Sequence, residues 1–205
     1  MPPSLPDVRP VSAATHWWAR VSTAQYAFTA FGVLAATAIT LVLMGRVPIC
    51  TCGYVKVWHG IALSSENSQH LSDWYTFSHV IHGFAFYAIG WLAGRQWPLA
   101  LRFVLALLVE GSWEVFENTP FIINRYREAT ISLDYYGDSV INSVADILAM
   151  TVGFVSASRL SVWTIVTLTI GLEGFVAYFI RDNLTLNIIM LIYPLEAIQR
   201  WQIGA

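Results

Sequence analysis

Five apolar segments, each close to 20 residues long, constrain the fold of this chain more than any other feature. Their approximate bounds are 24–44, 75–94, 97–117, 139–158 and 160–180. A helix needs about 20 residues to cross roughly 30 Å of hydrocarbon. A sixth apolar segment, Leu184 to Ile198, is shorter and contains Pro194, and we interpret it as a further span. The sequence therefore predicts an all-α fold: a polytopic membrane helical bundle with about six transmembrane helices.

The composition agrees with an integral membrane domain. Of the 205 residues, 56% are hydrophobic and only 12% are charged, which is more apolar material than a soluble domain of this size needs. We predict a disordered cytoplasmic tail and interfacial segment over residues 1–23, with Trp17 and Trp18 at the membrane interface. Residues 24–205 then form a single transmembrane domain, with outer loops at about 45–74 and 118–138.

The lengths of the polar connections predict the orientation. The connections around Arg95 and Arg159 are very short, whereas the two long polar loops both fall on the opposite side of the predicted bundle. Counts of Lys and Arg on the two sides differ little and add only weak support. We predict a multi-pass protein of the bacterial inner membrane with both termini in the cytoplasm.

Polar residues gather near the outer ends of the predicted helices. The spacing i, i+3 places His79 and His82 on one helix face, and the spacing i, i+4 does the same for Glu110 and Glu114. Asp146 reaches a similar depth on the fourth helix. Ionisable groups that face lipid are costly, so we expect these five residues to face inward and form a catalytic pocket open to the outside.

Three uses of such a pocket remain open. His79, His82, Glu114 and Asp146 offer enough nitrogen and oxygen ligands for a divalent metal such as Zn, Mn or Fe, although no named zinc motif is present. Alternatively, crowded carboxylates and a histidine transfer protons without a metal. In the third interpretation, the same residues satisfy one another and only stabilise the bundle.

The second outer loop carries basic and aromatic residues. Arg125 and Arg127 are one residue apart and lie near Tyr135, an arrangement suited to an anionic head group. We therefore predict that these three residues bind substrate, and that Asn142 orients the ligand. In the equally weighted alternative, the arginines pair with nearby acids and fold the loop over the bundle.

Cys50 and Cys52 follow the first predicted helix directly. Their chemistry is compatible with binding a soft metal or with thiol reactions in an oxidising compartment. We prefer the simpler interpretation, in which they are small interfacial residues or a redox pair of little consequence.

Several long strings carry a family resemblance: "CTCGYVKVWHG", "SSENSQHLSDWYTFSHVIHGFAFY", "EVFENTPFIINRYREATISLDYYGDSVINSVADIL" and "FVAYFIRDNLTLNIIMLIYPLEAI". From about Gly45 to Trp201 the chain resembles a family of bacterial inner-membrane proteins classified as a domain of unknown function. The resemblance implies a multi-pass membrane protein and assigns no catalytic residue. The string "DSVINSVADILAMTVGF" is also similar, more weakly, to one helix of VanZ-like membrane proteins.

The function we expect is that of a cell-envelope enzyme whose partner is a membrane lipid or a lipid-linked substrate. One alternative is an ion- or metal-binding transport protein, and another is a non-catalytic subunit or assembly factor that docks a partner membrane protein. With 11 basic residues and a formal net charge of −2, the chain has no basic patch of the kind that nucleic acid requires.

Overall fold

The computed structural model describes residues 16–204, and these residues form helices and loops without a strand. A short 3-10 helix, Trp17–Arg20, precedes eight α-helices. The α-helices are α1 (Thr23–Leu43), α2 (Thr76–Ala93), α3 (Leu99–Glu117), α4 (Pro120–Ala129), α5 (Val140–Arg159), α6 (Val162–Ile180), α7 (Leu184–Ile192) and α8 (Glu196–Ile203). The predicted all-α fold is confirmed. Most of the predicted N-terminal tail lies outside the described residues.

Serine side chains set the starts of three long helices, α1, α5 and α6. Ser22 accepts a hydrogen bond from the backbone N–H of Gln25 at the start of α1, and the Gln25 side chain returns a bond to the backbone of Ser22. Ser139 and Ser161 cap α5 and α6 through the same backbone position. Such caps satisfy N–H groups that have no partner inside the helix, so these helices begin at defined residues.

Three helices, α1, α5 and α6, are long and apolar enough to cross a membrane. The helices α2 and α3 are nearly as long, with 18 and 19 residues, but they carry the histidines and most of the clustered carboxylates. Helix α2 packs along α5, and α3 packs along α1. The chain is a helical membrane protein in which the two helices that carry these polar residues pack against apolar ones.

The predicted sixth span is wrong, and the count of clearly membrane-spanning helices falls below six. The segment from Leu184 to Ile198 is interrupted, because α7 ends at Ile192 and α8 begins only at Glu196. Pro194 lies in this break and has no backbone N–H to continue a helix. The nine residues of α7 reach only about 14 Å, roughly half of the hydrocarbon thickness.

Two glycines allow α2 and α5 to approach closely. A Cβ atom on Gly83 would overlap the backbone of Met150, and one on Gly153 would overlap the backbone carbonyl of Val80. Small residues at such a crossing permit contact between helix backbones, which is how helices associate in lipid. The crossing fixes the position of α2, the helix that carries both site histidines.

An apolar core fills the bundle next to the polar residues. Its buried members come from α3 and α5, and side chains of α1 and α2 pack around them. The buried members are Ala106, Leu107, Ile147, Met150 and Phe154. On α3, Glu110 lies one helical turn beyond Leu107, so the polar layer begins where this core ends.

The two long loops contact each other at one end of the bundle. The Gln69 side chain donates to the carbonyl of Gly137 at 2.7 Å and the Ser139 hydroxyl donates to the carbonyl of Gln69 at 3.1 Å. Arg46 also donates to the carbonyl of Tyr136 at 2.7 Å. These bonds join residues 44–75 to residues 118–139 in a single cap, which we call the loop cap.

The two ends of the described chain lie at opposite ends of the bundle. Trp18 packs near Trp97 and Leu101, beside the turn between α2 and α3. The Gln202 side chain instead donates to Asp182, and Asp182 in turn accepts from Tyr75 next to the loop cap. That both termini face the cytoplasm stays a prediction.

Candidate functional site

A cavity of about 280 Å³ opens between α2, α3, α4 and α7, beneath the loop cap. One wall is polar and is built by His79, His82, Glu110, Glu117, Asp138 and Asp146. Another part of the wall is apolar and is built by Phe86, Val109, Trp113, Leu184, Ile188 and Leu191. The cavity is therefore amphipathic, because both ionisable groups and hydrocarbon line it.

Glu110 joins the two histidines of α2. Its carboxylate lies 2.6 Å from Nδ1 of His79 and 3.1 Å from Nδ1 of His82. A carboxylate only accepts hydrogen bonds, so both rings donate Nδ1–H to Glu110. The carboxylate thereby orients both rings, and when a ring is neutral its Nε2 atom is the basic position. Glu110 itself is fully buried.

Asp146 and Thr76 lie on the other side of His79. The Thr76 hydroxyl donates to Asp146 at 3.0 Å, and another oxygen of Asp146 lies 3.9 Å from Nε2 of His79. The His79 ring therefore lies between two carboxylates from two different helices. Such an arrangement orients an imidazole and stabilises positive charge on it.

Glu114 lies behind the cavity wall and differs from its neighbours. It is only 1% exposed, and neither carboxylate oxygen has a hydrogen-bond partner within the described part of the chain. The nearest ring nitrogen is Nδ1 of His79, 3.5 Å from Oε1, and that atom already donates to Glu110. His79, Glu114 and Glu117 each have one atom of a type that binds metals, and these three atoms lie within 4.8 Å of one another.

Asp138 closes the cavity at the loop cap. Tyr135 donates its hydroxyl proton to Asp138 at 3.0 Å, and the Asn118 amide donates to the other oxygen at 2.9 Å. Burial raises the pKa of the Asp138 carboxyl to about 6, against the opposing effect of the bonds from Tyr135 and Asn118. Tyr135, predicted as a substrate-binding residue, does line the cavity.

The five residues predicted as catalytic come together in the structure. His79, His82, Glu110 and Asp146 line the cavity, and Glu114 lies directly behind His79. The sequence reasoning omitted Glu117 and Asp138 from the site, although both lining residues continue the polar faces of α3 and α5. Glu117 follows Glu110 by seven residues, and Asp138 precedes Asp146 by eight. These helical spacings could have identified both residues from the sequence.

Three of the predicted substrate-binding residues lie outside the cavity lining. Arg125 donates through Nε to the carbonyl of Leu191 at 2.8 Å and so holds the end of α7, while Arg127 is exposed to solvent. Asn142 donates to the backbone carbonyl of His70 at 2.8 Å and ties α5 to the loop cap. None of these three residues lines the cavity, so the geometry gives no support to their roles in binding substrate.

The loop cap has a separate polar network around Glu66. Lys56 donates to Glu66 at 2.6 Å, Tyr54 donates at 3.0 Å, and a ring nitrogen of His70 lies 3.1 Å away. The hydrogen bond from Lys56 is the main cause that lowers the pKa of Glu66 to about 2. Cys50 and Cys52, which precede this network, form a disulfide with each other.

Comparison with known proteins gives the family. A family model described as "Protein of unknown function (DUF2585)" matches residues 41–204. The chain belongs to the DUF2585 family. The predicted family resemblance is thereby confirmed, whereas the weaker likeness to VanZ-like proteins stays a prediction.

Relatives in the DUF2585 family are bacterial proteins that bear the name UPF0314 protein. One from Sinorhizobium fredii is 57% identical over 183 residues, which is 89% of this chain and 93% of the relative. One from Paracoccus denitrificans is 56% identical over 172 residues, covering 84% and 89%. One from Novosphingobium aromaticivorans is 54% identical over 180 residues, covering 85% and 91%. No solved structure matches the chain.

Proposed function

We propose that this DUF2585 protein is a membrane enzyme that acts on the head group of a lipid or lipid-linked substrate. The observation that carries the proposal is the amphipathic cavity, where a His–Glu–His arrangement and apolar side chains line the same space. A lipid has the same division into a polar head and a hydrocarbon chain.

The apolar wall suits a hydrocarbon chain. Trp113 and Val109 come from α3, and Ile188 and Leu191 come from the short helix α7. Ile188 is 47% exposed and Val109 is 52% exposed, so this side of the cavity reaches the surface of the bundle. At about 280 Å³ the cavity is at the lower limit for ligand sites, which favours a head group inside and a chain that extends outward.

The polar wall suits proton transfer. His82 is the more accessible of the two histidines, and Glu110 orients its ring through Nδ1. Its Nε2 atom is then available to take a proton from a hydroxyl group or from water and to return it to a leaving group. Positioned acid–base groups of this kind contribute about 10²- to 10⁴-fold to a reaction rate.

The charge of the cavity limits the substrate class. Four lining residues are carboxylic acids, two are histidines, and no Lys or Arg lies among the described lining residues. An anionic head group would meet repulsion from the carboxylates unless a cation accompanied it. The cavity alone therefore favours a neutral polyol or an amine-bearing head group.

The packed core argues against the transport alternative. A transported ion would have to pass the apolar core of α3 and α5, where Ile147 and Met150 are almost fully buried. A polar route across the bundle is not found among the described residues. We therefore place the chemistry at one membrane surface, and propose the outer face of the bacterial inner membrane.

A lipid profile tests this proposal. A strain that lacks the gene is complemented with wild-type protein, with Glu110→Gln or with Glu128→Gln, and envelope lipids are compared by mass spectrometry. We expect the wild type and Glu128→Gln to restore the profile and Glu110→Gln to fail at equal protein abundance. Glu128 is the matched control because it is exposed on α4, outside the cavity. Restoration by Glu110→Gln would reject the proposal.

A further inference from the structure

Glu114 presents an electrostatic problem that the protein groups around it do not solve. A buried carboxyl group that makes no hydrogen bond carries a free-energy cost, and native proteins place a partner beside such a group. Glu114 is 1% exposed, and neither of its oxygens has a hydrogen-bond partner among the described residues. Its neighbour Glu110, in contrast, is bonded to two imidazoles.

The residues beside Glu114 are metal-ligand types. His79 and Glu117 each place one ligand atom within 4.8 Å of a Glu114 oxygen. Metal–ligand distances of about 2.0–2.2 Å put ligand atoms roughly 3–4 Å apart, so small side-chain rotations bring three such atoms around one ion. The three ligands come from α2 and α3, which pack against each other.

We propose that His79, Glu114 and Glu117 bind one divalent cation. This site deepens the proposed function, on which its role in catalysis rests, because Glu117 and His79 also line the cavity. Two carboxylates and one imidazole favour Mn²⁺, Fe²⁺ or Zn²⁺ over the alkaline-earth ions. The open coordination positions then belong to water or to a substrate oxygen in the cavity.

The proposed ligand set differs from the one predicted from sequence. His82 is 3.1 Å from Glu110 and contributes to a second group with His79, but that carboxylate is already satisfied. Asp146 accepts a hydrogen bond from Thr76. Glu117 replaces them because it lies next to the carboxylate that lacks a partner.

A cation would also remove the conflict between the acidic cavity and an anionic head group. It would supply the positive charge that the lining residues do not provide. Phosphate oxygens and carboxylates often share a divalent ion in this way. The metal-loaded site therefore extends the substrate class to phosphorylated lipids, whereas the protein groups alone do not.

The test uses purified full-length protein in mild detergent, stripped with a chelator and dialysed. Mn²⁺ or Zn²⁺ alone is titrated by calorimetry, and retained metal is counted by elemental mass spectrometry. We expect about one equivalent bound to the wild type and to Glu128→Gln. We expect Glu114→Gln and Glu117→Gln to bind at least tenfold more weakly. Each variant is compared with the wild type by circular dichroism, and two ligand variants guard against one that fails to fold.

Three results would overturn the inference. They are no metal bound by the wild type, unchanged binding by both ligand variants, and loss of binding only in Glu66→Gln. The last result would place the ion at the loop cap, where Glu66 and His70 lie beside Cys50 and Cys52.

The metal test and the lipid test fail independently. Metal binding with an unchanged lipid profile in the deletion strain would preserve the ion site and reject the lipid enzyme. A changed lipid profile without metal binding would leave a metal-free acid–base enzyme. Loss of both would reject both proposals.

Discussion

At the scale of single residues, Glu110 organises the site because two imidazoles converge on one fully buried carboxylate. Glu114, one helical turn away, has the same chemistry and no comparable partner. Two identical side chains on one helix are therefore expected to behave differently. Glu110 fixes the histidine rings, and Glu114 is available to a ligand that the protein does not itself provide.

Glu66 gives a residue-scale prediction with a defined pH range. The bond from Lys56 lowers the pKa of Glu66 from its ordinary 4.5 to about 2. A lowered folded-state pKa stabilises the fold fully above about pH 4.5, and the stabilisation is lost as the pH falls towards 2. We expect Glu66→Gln to lower the thermal midpoint in detergent at pH 7, and this difference to shrink between pH 4.5 and 2.

The pH measurement needs the exposed control Glu128→Gln, which should follow the wild type throughout. A Glu66→Gln difference that stays constant down to pH 2 would contradict the assigned role of the Lys56–Glu66 pair. It would show that the substitution acts through packing and not through charge.

At the scale of elements, the long helices could be located from apolar runs alone. The predicted span 75–94 corresponds to α2, Thr76–Ala93, and the predicted span 97–117 corresponds to α3, Leu99–Glu117. The convergence of His79 with Glu110 followed from helical spacing and from the cost of polar groups in lipid. Helix geometry and burial were sufficient for these features.

Other elements could not be predicted because their state depends on tertiary contacts. The interruption near Pro194 divides a run that is apolar enough to resemble one span. Arg125 and Asn142 bond to backbone carbonyls of distant residues, which no local pattern encodes. Side-chain type identified polar candidates, but it did not reveal which of them bond to the backbone of a distant residue.

The crossing of α2 and α5 gives an element-scale prediction. Gly83→Ala places a methyl group against the backbone of Met150, which cannot move aside as a flexible side chain would. We expect a loss of about 1–3 kcal/mol in the free energy of unfolding, because overpacking forces the helices apart. Gly171→Ala on α6 is the control, since no atom lies within 4 Å of its added methyl group. It should stabilise the helix by about 0.5–1 kcal/mol.

The glycine variants are compared by chemical unfolding in detergent micelles. Equal stability of Gly83→Ala and wild type would mean that α2 and α5 do not cross as closely as described. The position of His79 and His82 relative to α3 would then need revision, because α2 carries both rings.

At the scale of the whole molecule, the bundle has two unlike ends. One end contains the loop cap, the cavity and the C-terminal helices α7 and α8, and the other contains the 3-10 helix and the turn between α2 and α3. The apolar core separates them. We therefore expect the proposed chemistry to take place at one membrane surface.

Reporter fusions test this whole-molecule arrangement. We expect alkaline phosphatase to be active after fusion to the C-terminus and green fluorescent protein to fluoresce after fusion to the N-terminus. The reason is that the described ends lie at opposite ends of the bundle, with the N-terminal end proposed to be cytoplasmic. Fluorescence from both fusions would contradict the arrangement. It would place both ends of the chain in the cytoplasm and so require an even number of spans.

The most direct test of the central claim is conversion of a lipid by purified protein. Membrane lipids extracted from a strain that lacks the gene are mixed with wild-type protein or with Glu110→Gln in detergent, with Mn²⁺ or Zn²⁺ supplied. Mass spectrometry then follows each lipid species over time. Loss of one species and growth of its product with the wild type, but not with Glu110→Gln, is the predicted result. An unchanged lipid spectrum with the folded wild type, or equal conversion by the variant, would contradict the account.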